Sequence, residues 1–197
     1  MATHCSKIME FMMLVGKLKS TVRAGWGLCG VKNVESVADH MYRMAILAFL
    51  TNSETQLNKD KCVKLTLVHD MAECIVGDIV PSDGVSKEEK HRKEKAAMEH
   101  LCKLTGEETG QMIYDLWKEY EDQATPEACF VKDLDRFDML LQAYEYEVRD
   151  KRAGQLQDFI NSTKGKFKHP TVQEWVQEVY TLRQQHLEKT IADGDSK

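Results

Sequence analysis

The chain has 197 residues, 42% of them hydrophobic and 30% charged, which fits one well-packed domain and excludes a disordered or collagen-like chain. Its 27 Lys and Arg against 32 Asp and Glu give a formal net charge of −5, which argues against a general binder of nucleic-acid polymers but leaves room for a small phosphorylated ligand held by a few local cations. No apolar run is long enough to cross a bilayer, and the short run Phe11–Val15 follows no basic leader, so neither a membrane span nor a signal peptide is expected.

Helical periodicity recurs from end to end and strand-like alternation is scarce, so the expected fold is all-α. Helices are predicted at about 4–20, 35–51, 58–73, 86–104, 107–121, 126–149 and 171–190. Ser86 with Glu89 forms a capping-box pattern, Thr105-Gly106 a stop, and Thr125-Pro126-Glu127 a start. The clearest apolar stripe is Phe130, Leu134, Phe137, Leu141, Tyr144 and Val148. Stretches 21–34, 74–85 and 150–170 read as irregular. One domain is expected over 1–190, with its core at about 14–170 and a frayed tail at 191–197.

Cys5, Cys29, Cys62, Cys74, Cys102 and Cys129 include no C-x-x-C pair. They read as free thiols in a reducing compartment, and the expected location is cytoplasmic.

Some polar residues fall on apolar faces. In the second predicted helix, His40 shares the stripe of Val37, Met41, Met44, Ala45 and Ala48. In the third, Cys62, Leu65 and His69 align, and Asp70 follows at once. Glu73 lies four after His69 and three after Asp70, ahead of the turn Gly77-Asp78. A lone inward histidine is ordinarily a core residue bonded to a carbonyl, but this cluster needs partners and marks a site. His4, His91, His100, His169 and His186 read as surface or packing residues. The charged run Lys87–Lys95 reads as a solvated face, with a lid that supplies a cation to a phosphate as the lesser alternative.

His40, the doublet His69-Asp70 and a distant Asp in a late helix resemble the metal-dependent phosphohydrolases of the HD-domain family. The segments Glu35–His40, Val68–Ile79 and Lys87–His91 resemble its 5′-deoxynucleotidases in particular, over about Leu14 to Pro170. The resemblance implies a single HD-domain helical bundle with one divalent metal (Mn, Co, Mg, Fe or Zn) held by His40, His69, Asp70 and a late Asp. The text Lys132-Asp133-Leu134-Asp135 matches the family's last motif and selects Asp135, whereas helical phase puts Asp133 and Asp138 nearer the apolar stripe; Asp138 stays in reserve. Glu73 and Asp78 match the family's acidic catalytic pair. Arg23 matches its phosphate clamp and Trp26 a substrate-binding aromatic, although bacterial members have these two adjacent and here Ala24 and Gly25 separate them.

The implied activity is hydrolysis of deoxyribonucleoside 5′-monophosphates to deoxyribonucleosides and phosphate. Two alternatives stand beside it. One is another HD-type phosphohydrolase or phosphodiesterase, and the other is a non-catalytic nucleotide-binding scaffold. A homodimer is implied, with Trp117, Tyr120, Trp175 and Tyr180 as apolar residues for an interface; no nucleic-acid polymer and no membrane are expected as partners.

Overall fold

Residues 3–51 and 56–194 are described by the computed structural model, and among them there are helices, turns and one isolated bridge but no strand. The helices are α1 (His4–Val15), α2 (Ala24–Leu28), α3 (Val37–Phe49), α4 (Lys59–Val68), α5 (Glu73–Val76), α6 (Lys87–Leu104), α7 (Glu107–Glu121), α8 (Pro126–Arg149), α9 (Gln157–Thr163) and α10 (Pro170–Gly194). Short 3₁₀ turns follow α1 at Gly16–Lys19 and precede α6 at Pro81–Asp83. The chain forms two compact units, residues 1–128 and 129–197. No described helix is long and apolar enough to cross a membrane.

In the first unit α3 packs on α4, α6 on α7, and α1 on α6. Met41, Val68, Met71, Met98, Leu101 and Trp117 are buried together in its core. Removing such side chains from water is the main stabilising term, about 1.5–3 kcal/mol for each fully buried one. Starts are capped as the sequence indicates. The Ser86 hydroxyl accepts from Glu89 N–H (3.1 Å) and the Thr125 hydroxyl from Ala128 N–H (3.2 Å). Ser36 and Asp39 cap each other reciprocally at the start of α3, which fixes the helix that carries His40.

The second unit contains α9, α10 and nearly all of α8. Phe137 packs on Trp175, Phe130 on His169 and Tyr144 on His186. Buried Glu147 on α8 receives two hydrogen bonds from Arg183 of α10 (2.7 and 3.0 Å) and one from Leu156 N–H (2.9 Å).

Several expectations need correction. The helix expected to run to residue 73 ends at Val68, because Met71, Glu73 and Cys74 N–H groups turn back to the carbonyls three residues earlier. The stretches read as irregular contain α2, α5 and α9, which at 4–7 residues are too short to show a period and rest on tertiary contacts. The α8 stripe holds at Phe130, Leu134 and Phe137 and then shifts to Leu140, Ala143 and Tyr146, leaving Val148 exposed. Glu147 is buried on the same stretch, which no apolar pattern anticipates. Helix α10 continues to Gly194, so residues 191–194 are helical; 195–197 lie outside the described residues. Trp117 and Tyr120 are buried in the first unit and offer no surface to a second copy.

Candidate metal centre and active site

Two helices and the turn after them carry the donors. His40, on α3, is fully buried among the apolar residues that its spacing placed it with. His69 caps the C-terminus of α4, equally buried, and the two imidazoles meet edge to face with centroids 5.4 Å apart. His69 Nδ1 lies 2.9 Å from the Thr66 carbonyl oxygen. A carbonyl only accepts, so Nδ1 holds the proton and the Nε2 lone pair is left for another acid. Nε2 is buried, has no hydrogen-bond partner among the described residues and sits 3.1 Å from Asp70 Oδ2. The same carboxylate oxygen is 3.7 Å from His40 Nε2. Tyr120 packs edge to face on the His69 imidazole, with centroids 5.0 Å apart.

Glu73 opens α5 and is 4% exposed, with Oε2 buried and lacking a hydrogen-bond partner among the described residues. Burial raises its carboxyl far above the ordinary value; the Asp70 and Asp78 carboxylates push the same way, and Arg23 and Lys90 pull back. Asp78 follows Gly77, whose φ of 75° belongs to the left-handed region that glycine adopts at little cost. The Asp78 carboxylate accepts from Ala24 N–H (2.8 Å), at the first residue of α2. It therefore anchors the loop that carries Arg23.

Arg23 Nη1 reaches to 3.6 Å from Asp70 Oδ2, and its Nε to 3.8 Å from Glu35 Oε1. Trp26 is only 1% exposed, and its indole N–H donates to Glu35 Oε1 (2.9 Å). Its ring is enclosed by protein atoms in this arrangement. Arg23, His40, His69, Asp70, Glu73 and Asp78 all come together in the first unit, at the junction of α2, α3, α4 and α5.

The late aspartates lie in the second unit, on α8. Asp133 accepts from Lys168 and His169 N–H groups (2.6 and 2.7 Å) and pairs with Arg136 (3.4 Å). That carboxylate closes the chain onto the start of α10. Asp138 is fully buried, as helical phase indicated. Asp135 is half-buried and pairs with Lys132 at 2.9 Å.

Residues not singled out from sequence also contribute. Glu35 was visible only as the first letter of a motif. Lys90 sits in the run read as a solvated face, yet its ammonium donates to the Ile79 carbonyl (3.2 Å) and faces Glu94 (3.6 Å). Burial lowers its pKa, but Glu94, Glu73, Asp70 and Asp78 outweigh that and raise it. Of the remaining histidines, His91 stacks on Trp117 and pairs with Glu121, a packing role.

A helical frame with paired buried imidazoles and an adjacent carboxylate defines a class. The HD domain family model matches residues 15–175, and the chain belongs to that family. It is 58% identical over 176 residues to 5′-deoxynucleotidase HDDC2 of Xenopus laevis, covering 89% of this chain and 87% of that one. Identity to 5′-deoxynucleotidase HDDC2 of Homo sapiens is 48% over 189 residues, covering 96% and 92%. Identity to 5′-deoxynucleotidase hdd1 of Schizosaccharomyces pombe is 44% over 188 residues, covering 93% and 94%. A conserved hypothetical protein from Pyrococcus furiosus has a similar solved structure, with a TM-score of 0.73 at 31% identity, covering 88% and 99%.

Proposed function

We propose that the chain is a metal-dependent 5′-deoxynucleotidase that hydrolyses deoxyribonucleoside 5′-monophosphates to deoxyribonucleosides and phosphate. The observation that carries the reading is the buried His40–His69 pair with half-buried Asp70 beside it and Arg23 at its edge, in a chain 44–58% identical to proteins named for that activity.

His40, His69, Asp70 and Asp135 hold one divalent ion in this reading. His40, His69 and Asp135 offer two imidazole nitrogens and a carboxylate oxygen, a mixed donor set that suits Mn, Co, Fe or Zn and admits Mg better than Ca. Asp135 is preferred over Asp133 because the Asp133 carboxylate already serves two backbone N–H groups. When bound, such an ion supplies Lewis acidity to a phosphoryl oxygen and lowers the pKa of a water.

The protein's own groups do the rest. Arg23 binds the phosphate oxygens and balances the charge that the substrate brings beside Asp70. Glu73, buried and with its carboxyl raised above the ordinary value, serves as the acid/base group. Asp78 fixes the Arg23 loop through Ala24 N–H. A cytoplasmic location belongs to the same reading and rests on the six free thiols; Cys62 and Cys74 are buried, which raises their pKa to about 12 and about 11.

The experiment is phosphate release from matched deoxy- and ribonucleoside 5′-monophosphates by protein stripped of metal and then resupplied. Metal-dependent release that favours the deoxy series supports the reading. Release from diesters or triphosphates alone, or from nothing, contradicts it.

A further inference from the structure

Two side chains at α2, Arg23 and Trp26, meet at one oxygen of Glu35. Glu35 Oε1 accepts from the buried Trp26 indole N–H at 2.9 Å and lies 3.8 Å from Arg23 Nε. The backbone repeats the pairing: Arg23 N–H donates to the Glu35 carbonyl (3.1 Å), Val37 N–H to the Thr21 carbonyl (2.8 Å), and Val22 bridges Ser36. Glu35 and Arg23 are thus fastened to each other twice, by main chain and by charge. The Arg23 and Glu35 side chains are only 14% and 8% exposed, so neither charge is well solvated and the pairing matters more than at a surface.

We propose that Glu35 is a positioning residue that orients the Arg23 guanidinium toward the substrate phosphate, and that Trp26 acts through Glu35 rather than by touching the nucleotide. With its Nε edge on Glu35, the guanidinium extends Nη1 toward Asp70, whose Oδ2 lies 3.7 and 3.1 Å from the two imidazoles. A planar fork held by one edge presents the other in a fixed plane, the geometry that phosphate binding rewards. A free arginine in a loop would have to be ordered at each binding event. This inference rests on the phosphate-binding role given to Arg23 above.

A double-mutant cycle on the metal-loaded protein, with dAMP as the probe, tests it. Glu35→Gln keeps an oxygen for the indole but removes the charge that faces Arg23. It is expected to lower kcat/KM by about tenfold, chiefly by raising KM. In an Arg23→Ala background the same substitution is expected to change kcat/KM by less than about twofold, because its target is gone. Trp26→Phe keeps the ring, removes the N–H and is expected to follow the same pattern with a smaller effect. It also serves as the test if Glu35→Gln does not fold. Effects of Glu35→Gln and Trp26→Phe that persist in full without Arg23 overturn the inference, as does a Glu35→Gln enzyme with unchanged KM. Wild-type protein that releases no phosphate from dAMP overturns the function instead, a distinguishable result.

Discussion

His69 Nδ1 lies 2.9 Å from the Thr66 carbonyl oxygen, three residues back along α4, and this contact fixes which ring nitrogen carries the proton. In the proposed metal site the helix backbone thereby leaves Nε2 ready to be a ligand, as the outer partners of metal-bound histidines generally do. His69→Ala should lose both metal and phosphate release while the helices persist. Elemental analysis of protein loaded with Mn²⁺ and desalted should give about one ion per chain for wild type and almost none for the variant.

Two of the late aspartates, Asp133 and Asp135, separate by the same assay. Asp135→Asn should lose metal. Asp133→Asn should keep it and lose stability instead, because Asp133 accepts from Lys168 and His169 N–H groups at the start of α10. The expected cost is about 1–3 kcal/mol, the range for a buried hydrogen-bond group left with a poorer partner. Metal loss from Asp133→Asn with retention in Asp135→Asn would reverse the assignment.

Glu73→Gln retains volume and removes the titrating proton. Turnover should fall by about 10²–10⁴-fold, with metal content and melting temperature close to wild type. Loss of metal and fold together would show that the carboxyl is structural.

How far the sequence reaches is clear from particular residues. The imidazoles of His40 and His69 are legible because spacings of three and four placed them on apolar faces, and both are buried. Starts at Ser86 and Thr125 are legible because capping is local chemistry. The break after Val68 is not, because it depends on Met71, Ala72 and Cys74 packing into a core built from distant elements. The burial of Trp26 is also not legible. An aromatic beside an arginine in a Gly-rich loop reads as a binding face until the Glu35 carboxylate is seen to hold it. Glu147 and Arg183 lie 36 residues apart and interrupt the apolar stripe with a buried charge pair, which no hydrophobic period encodes.

That pair carries its own pH dependence. Burial alone would raise the Glu147 pKa, but hydrogen bonds from Arg183 and Leu156 N–H outweigh it and hold the carboxyl below its ordinary value. The unfolded chain therefore binds the extra proton first as pH falls. The stabilisation is complete above the ordinary carboxylate pKa and is lost as pH drops through the lower folded value. Denaturant midpoints of wild type should fall more steeply over that acid interval than those of Glu147→Gln. At neutral pH, Glu147→Ala should destabilise by about 3–5 kcal/mol, since it leaves Arg183 buried without its main carboxylate. Parallel acid limbs in the two proteins would contradict the assignment.

Gly110 tests the packing of α7 on α6. A Cβ there would clash with the Cys102 carbonyl oxygen, a backbone atom that cannot swing aside. Gly110→Ala should lower stability by about 1–3 kcal/mol despite the better helix propensity of alanine, measured as a shift in denaturant midpoint. A more stable variant would show that the helices can separate without cost.

In the proposed function this pocket hydrolyses 5′-deoxynucleotides only with its metal. The most direct measurement is phosphate released from dAMP and from AMP as Mn²⁺ or Co²⁺ is titrated into stripped wild-type and His69→Ala protein. Release should rise with metal and saturate in wild type, favour dAMP, and be absent from the variant at every metal concentration. Release undiminished in stripped protein or in His69→Ala, or none from folded, metal-loaded wild type, would contradict it.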